Sequence, residues 1–339
     1  MQSAIGNHKS EMKRGSALVV VLWILIIISL IVSMFAFEMR LEARMITLQR
    51  QRFKADQLAL AGVELARSML AVQEEKSTTG EKTVYDDPYM TEAVKIAAGV
   101  PVNFSENFGD GKVTLHIDYE EGRRNISKLK PEDWRMLFEQ AGIPNTRWDA
   151  MLSCLADWQD PDDLHTLNGA ESDDPFYKKR GYECKNAPVD TVDELLLIKN
   201  WGEEVLYGTP DGEKTDEPIT GIASQLTTWG SGKINPNSAS REVLNSLSIP
   251  DDTIDAIMEM RLGPDGKEGT ADDGITQADL AALGHGGIFT VQPEYVSITA
   301  IGEVGGIQSK ISCIFSFKLG EKAAVPLFWL EGKQEETRR

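Results

Sequence analysis

The sequence predicts an α+β fold in which one very long N-terminal helix packs on a small antiparallel sheet, with a large all-α domain inserted between the strands. Three observations predict it. An uncharged apolar run near the start passes without proline into an amphipathic helical pattern. Alternating, strand-like segments occur at 112–119 and then only after residue 289. Everything between them reads as short helices and acidic loops, and a helical block between strands that share a sheet is an insertion.

The first element opens with Lys13-Arg14-Gly15-Ser16 and runs uncharged to Phe37, about the ~20 residues that carry a helix across a bilayer. A secretory signal peptide has a shorter apolar stretch and a small-x-small cleavage site. Ser33-Met34-Phe35-Ala36-Phe37-Glu38 offers no such site, and no cysteine follows for lipid attachment. A type II anchor and a leader cleaved just before the apolar run both fit. Flanking charge leaves orientation open, because Lys9, Lys13 and Arg14 precede the span while Arg40, Arg44, Arg50, Arg52 and Lys54 follow it. Beyond Phe37, Leu41, Met45, Leu48, Ala55, Leu58, Gly62, Leu65 and Met69 form the seam of an amphipathic helix. The Lys76-Ser77-Thr78-Thr79-Gly80 breaker ends it, which makes a rod of roughly 90 Å at ~1.5 Å per residue.

The rest divides by pattern. Residues 1–15 form a leader, 16–76 the helix, 77–122 a first α+β segment, 123–287 the inserted domain, 288–320 a β hairpin and 321–339 a charged tail. Gly109-Asp110-Gly111 turns into a strand at Lys112–Tyr119. Helices are expected at Pro131–Gly142, Asn145–Trp158, Thr191–Trp201, Arg241–Leu247 and Asp251–Arg261. Tyr295–Val304 and Ile307–Phe317, joined by Gly305-Gly306, form the hairpin.

Composition excludes some functions. With 35 Lys+Arg against 53 Asp+Glu the net charge is -18, which argues against nucleic acid. No P-loop, dinucleotide fingerprint, nucleophile elbow or HExxH spacing is present. Cys154, Cys184 and Cys313 make no CxxC pair; Cys154 and Cys184 are free to bridge in an oxidising compartment, or all three are buried thiols. Two Gly-rich acidic loops carry the candidate metal ligands, since clustered carboxylates supply hard oxygens for Ca²⁺. The first holds Asp157, Asp160, Asp162, Asp163, Glu171, Asp173 and Asp174; the second holds Asp265, Glu268, Asp272 and Asp273. Neither has the EF-hand spacing, and solvated acidic loops are the plain alternative. Ile234-Asn235-Pro236-Asn237-Ser238-Ala239 resembles the opening of helix-hairpin-helix modules. The hairpin after it, Leu247-Ser248-Ile249-Pro250-Asp251-Asp252, lacks the glycines that approach phosphate, so it is read as a packing motif.

Several stretches together resemble one family. Gly15–Trp23, Ala59–Ala66, Asp157–Asp162, Gly169-Ala170-Glu171 and Ile234–Ala239 are similar, in this order, to the general secretion pathway protein K family of type II secretion minor pseudopilins. The resemblance implies a pilin-like fold, cleavage after Gly15, N-methylation of Ser16 by the prepilin peptidase, and a single-pass inner-membrane anchor with the C-terminal part in the periplasm. It implies a non-enzymatic role initiating and capping the pseudopilus tip with minor pseudopilins I, J and H on the inner-membrane assembly platform. It also raises Ca²⁺ as the cofactor of the inserted domain. Most pilin-like subunits carry glutamate at the fifth mature residue, where this chain has Val20, which fits a subunit with nothing above it. The competing expectation from another class is a membrane-anchored periplasmic Ca²⁺-dependent hydrolase.

Overall fold

The computed structural model describes residues 14–76, 88–210, 218–267, 270, 272–283, 287–292, 294–316 and 325–332. They form two compact units, up to Lys54 and from Ala55 onward. The first unit is the leading part of helix α1 (Arg14–Lys76), in which Leu18 to Arg50 are all exposed. An 18-residue window reaches a mean hydropathy of 3.2 with nothing buried. A helix satisfies its own backbone hydrogen bonds, so apolar side chains pointing outward all round suit hydrocarbon. The leader before Arg14 lies outside the described residues, and the helix runs through Gly15 and Ser16.

In the second unit, the rest of α1 buries Ala55, Ala59, Val63, Ala66, Met69 and Leu70, a stripe at helical spacing. Helix α2 (Pro88–Ala97) follows, then β1 (Val102–Phe108) and β2 (Gly111–Tyr119). The insert leaves after β2 through a 3-10 turn at Glu120–Gly122. It contains β3 (Arg124–Asn125), α3 (Pro131–Gln140), α4 (Asn145–Gln159), α5 (Pro175–Arg180), α6 (Glu203–Tyr207), β4 (Leu226–Thr227), α7 (Arg241–Asn245), α8 (Asp251–Met260) and α9 (Gln277–Leu283). Strands β5 (Tyr295–Val304), β6 (Ile307–Ser316) and β7 (Val325–Gly332) then complete the sheet. Its order is β1-β2-β5-β6-β7, every pair antiparallel.

Alternation decides which face of the sheet is dry. Val113, Leu115, Ile117 and Tyr119 of β2, Val296, Ile298 and Ala300 of β5, and Ile311, Cys313 and Phe315 of β6 form one core with α1. Small residues let the helix lie close. A Cβ on Gly302 would meet Ala55 O at 2.2 Å, and one on Gly62 would meet the Leu115 side chain at 2.9 Å.

The insert has two cores of its own. Trp134, Phe138, Met151, Trp158, Tyr177 and Trp201 belong to the first, with Trp134 and Trp201 edge to face at 5.2 Å. Ile234, Val243, Leu244, Ile254, Ile257 and Phe289 belong to the second. Register holds both on the sheet, because Tyr119 pairs with Val296 and so the exit and return of the insert lie side by side. Glu121, 3 % exposed, closes this junction by accepting from Glu294 N (2.8 Å) and Tyr295 N (3.2 Å), while its own carbonyl accepts from Asn235 N (2.8 Å). Beside it Glu120 pairs with Arg123 and accepts from Thr227 Oγ1.

The architecture follows the expected one, with differences of detail. The insert is mainly helical but not all-α, since β3 and β4 form a parallel ribbon. Thr191–Trp201 is a 3-10 helix at Val192–Leu197, and α2, β1, α5, α6 and α9 are additional. Within the expected tail at 321–339 lies β7, whose Pro326 and apolar side chains sit at a sheet edge where a missing N–H costs no ladder bond.

Two predictions follow from this packing. Gly302→Ala forces α1 off the sheet and is expected to lower stability in urea by about 1–3 kcal/mol, whereas Gly287→Ala, with open space around it, changes it by less than ~0.5 kcal/mol. Burial pushes the Glu121 carboxyl up to about 7, against the two backbone N–H groups that favour its ionised form. The folded protein then holds this proton up to about pH 7 while the unfolded chain releases it near pH 4.5. The associated stability is present in full below pH 4.5 and is lost as pH rises to 7, by an amount on the order of 3 kcal/mol. Glu121→Gln is expected to flatten that part of a stability-against-pH curve; an unaltered slope would refute the assignment.

Candidate metal centre

The first acidic loop is built at the end of α4. Asp157 lies in its last turn with 0 % exposure, and Asp160 is the C-cap in extended conformation, its N–H bonded to Ala156 O. The chain turns at Thr166–Gly169 and comes back along Asp157, which accepts from Thr166 N at 3.1 Å. At Gly169 any Cβ would sit 2.1 Å from Asp157 Oδ2, so only glycine admits this return. Ala170 is buried in the first core of the insert, and Glu171 then enters beside Asp157 with 2 % exposure. Asp174 N bonds back to Glu171 O, and the Asp174 side chain caps α5.

Ligand-type oxygens of Asp157, Asp160 and Glu171 all lie within 4.8 Å of one another. Both carboxylate oxygens of Glu171 and Oδ1 of Asp160 are buried without a hydrogen-bond partner. Buried ionised carboxylates are costly unless paired. The nearby cations are engaged elsewhere: Lys199 Nζ with Asp174 at 2.8 Å and His165 Nε2 with Asp173 at 2.7 Å. Among the described residues no Lys, Arg or His forms an ion pair with the trio. Burial, then the neighbouring carboxylates, push the Asp160 and Glu171 carboxyls upward. Orphaned carboxylate oxygens converging on one point are what a divalent cation with hard oxygen ligands would satisfy, so the residues present fit Ca²⁺.

The other expected ligands stand apart from this trio. Asp162 accepts from Leu164 N and Asp163 from Asn186 Nδ2, both exposed and shaping the loop. Asp173 holds His165, and Asp174 is a helix cap paired with Lys199. In the second loop, Asp265, Asp272 and Asp273 all face Thr270 Oγ1, at 3.4, 2.8 and 3.0 Å. Glu268 lies outside the described residues. Cys154 and Cys184 are free buried thiols rather than a bridge. Cys154 Sγ faces Asn168 O and accepts from Asn200 Nδ2, and Cys184 Sγ faces Ala170 O, each thiol held by its own contacts. Burial raises both thiols, Cys154 to about 11, and Cys313 in the sheet core to about 12.

Residues 235–237 have a role that sequence reading left as general packing. Asn235 Nδ2 donates to Gly99 O at 2.8 Å, and Asn237 Nδ2 donates to Ala98 O at 2.8 Å and Ile275 O at 3.1 Å. Asn237 Oδ1 accepts from Ile275 N at 2.7 Å. These two side chains fasten the end of α2, the junction and the return of the second acidic loop. Two buried asparagines around a proline were the only signal for it.

Comparison with known proteins agrees with the resemblance. Residues 116–207, which include Asp157–Asp162 and Gly169–Glu171, match the family model for type II secretion system (T2SS), protein K. No curated protein matches the chain. A chain of the crystal structure of the GspK-GspI-GspJ complex from the enterotoxigenic Escherichia coli type 2 secretion system shares the fold. It superposes with a TM-score of 0.53 at 15 % identity, over 86 % of this chain and 100 % of that one. The long helix and antiparallel sheet are thus a pilin-like α+β fold, and residues 116–207 carry the protein K pattern.

Proposed function

We propose that the chain is a minor pseudopilin of the type II secretion system, a structural rather than enzymatic subunit that initiates and caps the periplasmic pseudopilus. The protein K match over 116–207 carries this reading, since it spans the end of β2 and the first part of the insert with its buried carboxylates. The fold shared with a chain of the three-protein complex supports pseudopilins I and J as neighbours, and H is proposed as a further one. The apolar part of α1 serves as a single-pass inner-membrane anchor, with the second unit in the periplasm. Prepilin peptidase removes the leader after Gly15 and methylates Ser16, and the assembly platform then extracts the helix.

Capping rests on a physical argument. Glutamate at the fifth mature position is a buried charge that needs a partner, such as the terminal amine of a neighbour. Val20 neither needs nor supplies one, and an insert with two cores of its own obstructs addition above it.

The trio of Asp157, Asp160 and Glu171 is the Ca²⁺ site of this reading, supplying carboxylate oxygens while backbone and water complete the 6–8 ligands. The ion's contribution is to neutralise two buried carboxylates and one half-buried one, and so to fix the end of α4 against the start of α5.

Two experiments test these assignments. The mature chain is expected to begin at Ser16 only in cells with prepilin peptidase. Val20→Glu leaves that start residue unchanged but lowers secretion; processing at another residue sinks the pseudopilin reading. Ca²⁺ is expected to raise the Tm of the wild-type chain, whereas Glu171→Gln removes a buried charge, is the more stable protein in chelator by about 1–3 kcal/mol, and gains little from Ca²⁺. Equal Ca²⁺ responses of the two proteins would remove Glu171 as a ligand.

A further inference from the structure

The two edges of the sheet are built differently. At β1 the edge carries Asn103, Ser105, Glu106 and Asn107, with Asn103 bonded to His116 and Ser105 to Thr114. Polar and charged side chains are how sheet edges avoid pairing with another chain. At β7 the sequence is Val325-Pro326-Leu327-Phe328-Trp329-Leu330, with one charge, Glu331, near its end. All eight residues are exposed, and Val325, Leu327, Phe328, Trp329 and Leu330 are 36–55 % open. The register steps between Ile314 and Phe315, so Leu327 is a bulge residue without a partner on β6. Among the described residues no strand lies beyond β7.

A cleft of about 340 Å³ adjoins this edge. Phe328 and Ile314 of the sheet form one wall, and Val192, Leu226 and Trp229 of the insert form another. Its charged members already have partners: Arg123 with Asp118 and Glu120, and Asp190 with Lys185. The cleft is therefore suited to an uncharged side chain.

We propose that β7 is a docking edge that takes an extended, apolar segment of another protein as a sixth strand, one of whose large side chains enters the cleft beside Phe328. Past Pro326, which has no N–H, the open edge from Leu327 to Gly332 offers alternating N–H and C=O groups, which an extended backbone matches. Area favours a segment over a second copy of the chain. The five apolar side chains leave roughly 400 Å² open, at ~200 Å² for a full side chain. A stable globular interface needs about 800 Å² on each partner. A strand gains its affinity from ladder bonds and one anchored side chain, and so suits the smaller surface. This assignment depends on neither the secretion reading nor the metal site.

The test uses the full chain in detergent and a Lys-capped octapeptide alternating Leu and Thr, with a copy N-methylated at alternate amides. The unmodified peptide is expected to bind, blue-shift the Trp emission and slow hydrogen exchange of the β7 amides. The N-methylated copy is expected to bind at least about tenfold more weakly, as is the unmodified peptide to a Phe328→Thr, Leu330→Thr double variant. Both substitutions lie on an exposed edge and keep β-forming residues, and circular dichroism checks the fold. A single Leu330→Thr variant reports on the edge if the double variant does not fold. No binding, equal binding of the two peptides, or unchanged binding by the variants overturns the proposal. A doubled particle mass abolished by the variants assigns the edge to a second copy and overturns it equally.

Discussion

The pairing of β2 with β5 is the constraint on which the rest of the molecule depends. Tyr119 opposite Val296 means that an insert of more than 150 residues begins and ends at neighbouring points. A long excursion costs little extra loop entropy once its ends are fixed, because that term grows only with the logarithm of length. What the fold must supply is a rigid base. Glu121 gives it with a buried carboxylate on two strand-end amides, and Asn235 and Asn237 extend the fastening to the end of α2. Through these contacts the insert is positioned by the sheet, and the sheet by its close contact with α1.

Division into two cores gives the insert its own internal logic. The first contains the aromatic cluster around Trp201, with the carboxylate trio flanked in sequence by its members Trp158 and Ala170; the second contains the Asn235-Pro236-Asn237 staple and the acidic loop that ends at Ile275. Both acidic loops look alike in composition, yet they differ in where their oxygens go. In the second loop the carboxylates turn on Thr270, whereas Glu171 in the first faces others of its kind. A buried carboxyl surrounded by carboxyls is held there by packing, and its charge is relieved by a proton or by a cation.

Much of the fold was legible because periodicity reports burial. The α1 seam at Ala55, Gly62 and Met69, the alternation in 112–119, and the Gly305-Gly306 hairpin each reflect one face meeting one neighbour. Legibility failed where a segment's role depends on distant backbone. Asn237 serves Ala98 and Ile275, far from it in sequence, and no local pattern encodes that. The strand β7 was hidden for a different reason. Alternation marks a half-buried strand, but β7 is open on both faces and apolar on both, so it has no period to detect. At the metal centre the residue types were visible and their selection was not. Seven carboxylates occupy the first loop, and only the Gly169 return and the burial of Ala170 turn Asp157, Asp160 and Glu171 inward while leaving Asp162, Asp163 and Asp173 in solvent.

A net charge of -18 therefore describes two populations of carboxylate with opposite consequences. The exposed ones are hydrated and repel one another only weakly across salt. Asp157 and Glu171, buried, and Asp160, half-buried, meet with no ion-pair partner, and their repulsion opposes the very loop closure that brings them together. The loop is nonetheless closed by contacts that bring no cation to the trio: the Thr166 amide on Asp157, the glycine at 169, and the Asp174 cap that starts α5. A site closed by such contacts against the repulsion of its own carboxylates is pre-organised, with the ordering cost met by folding before any ion arrives. The same geometry that crowds carboxyls together in the metal-free domain is the one that would let a divalent cation stiffen the end of α4 against the start of α5.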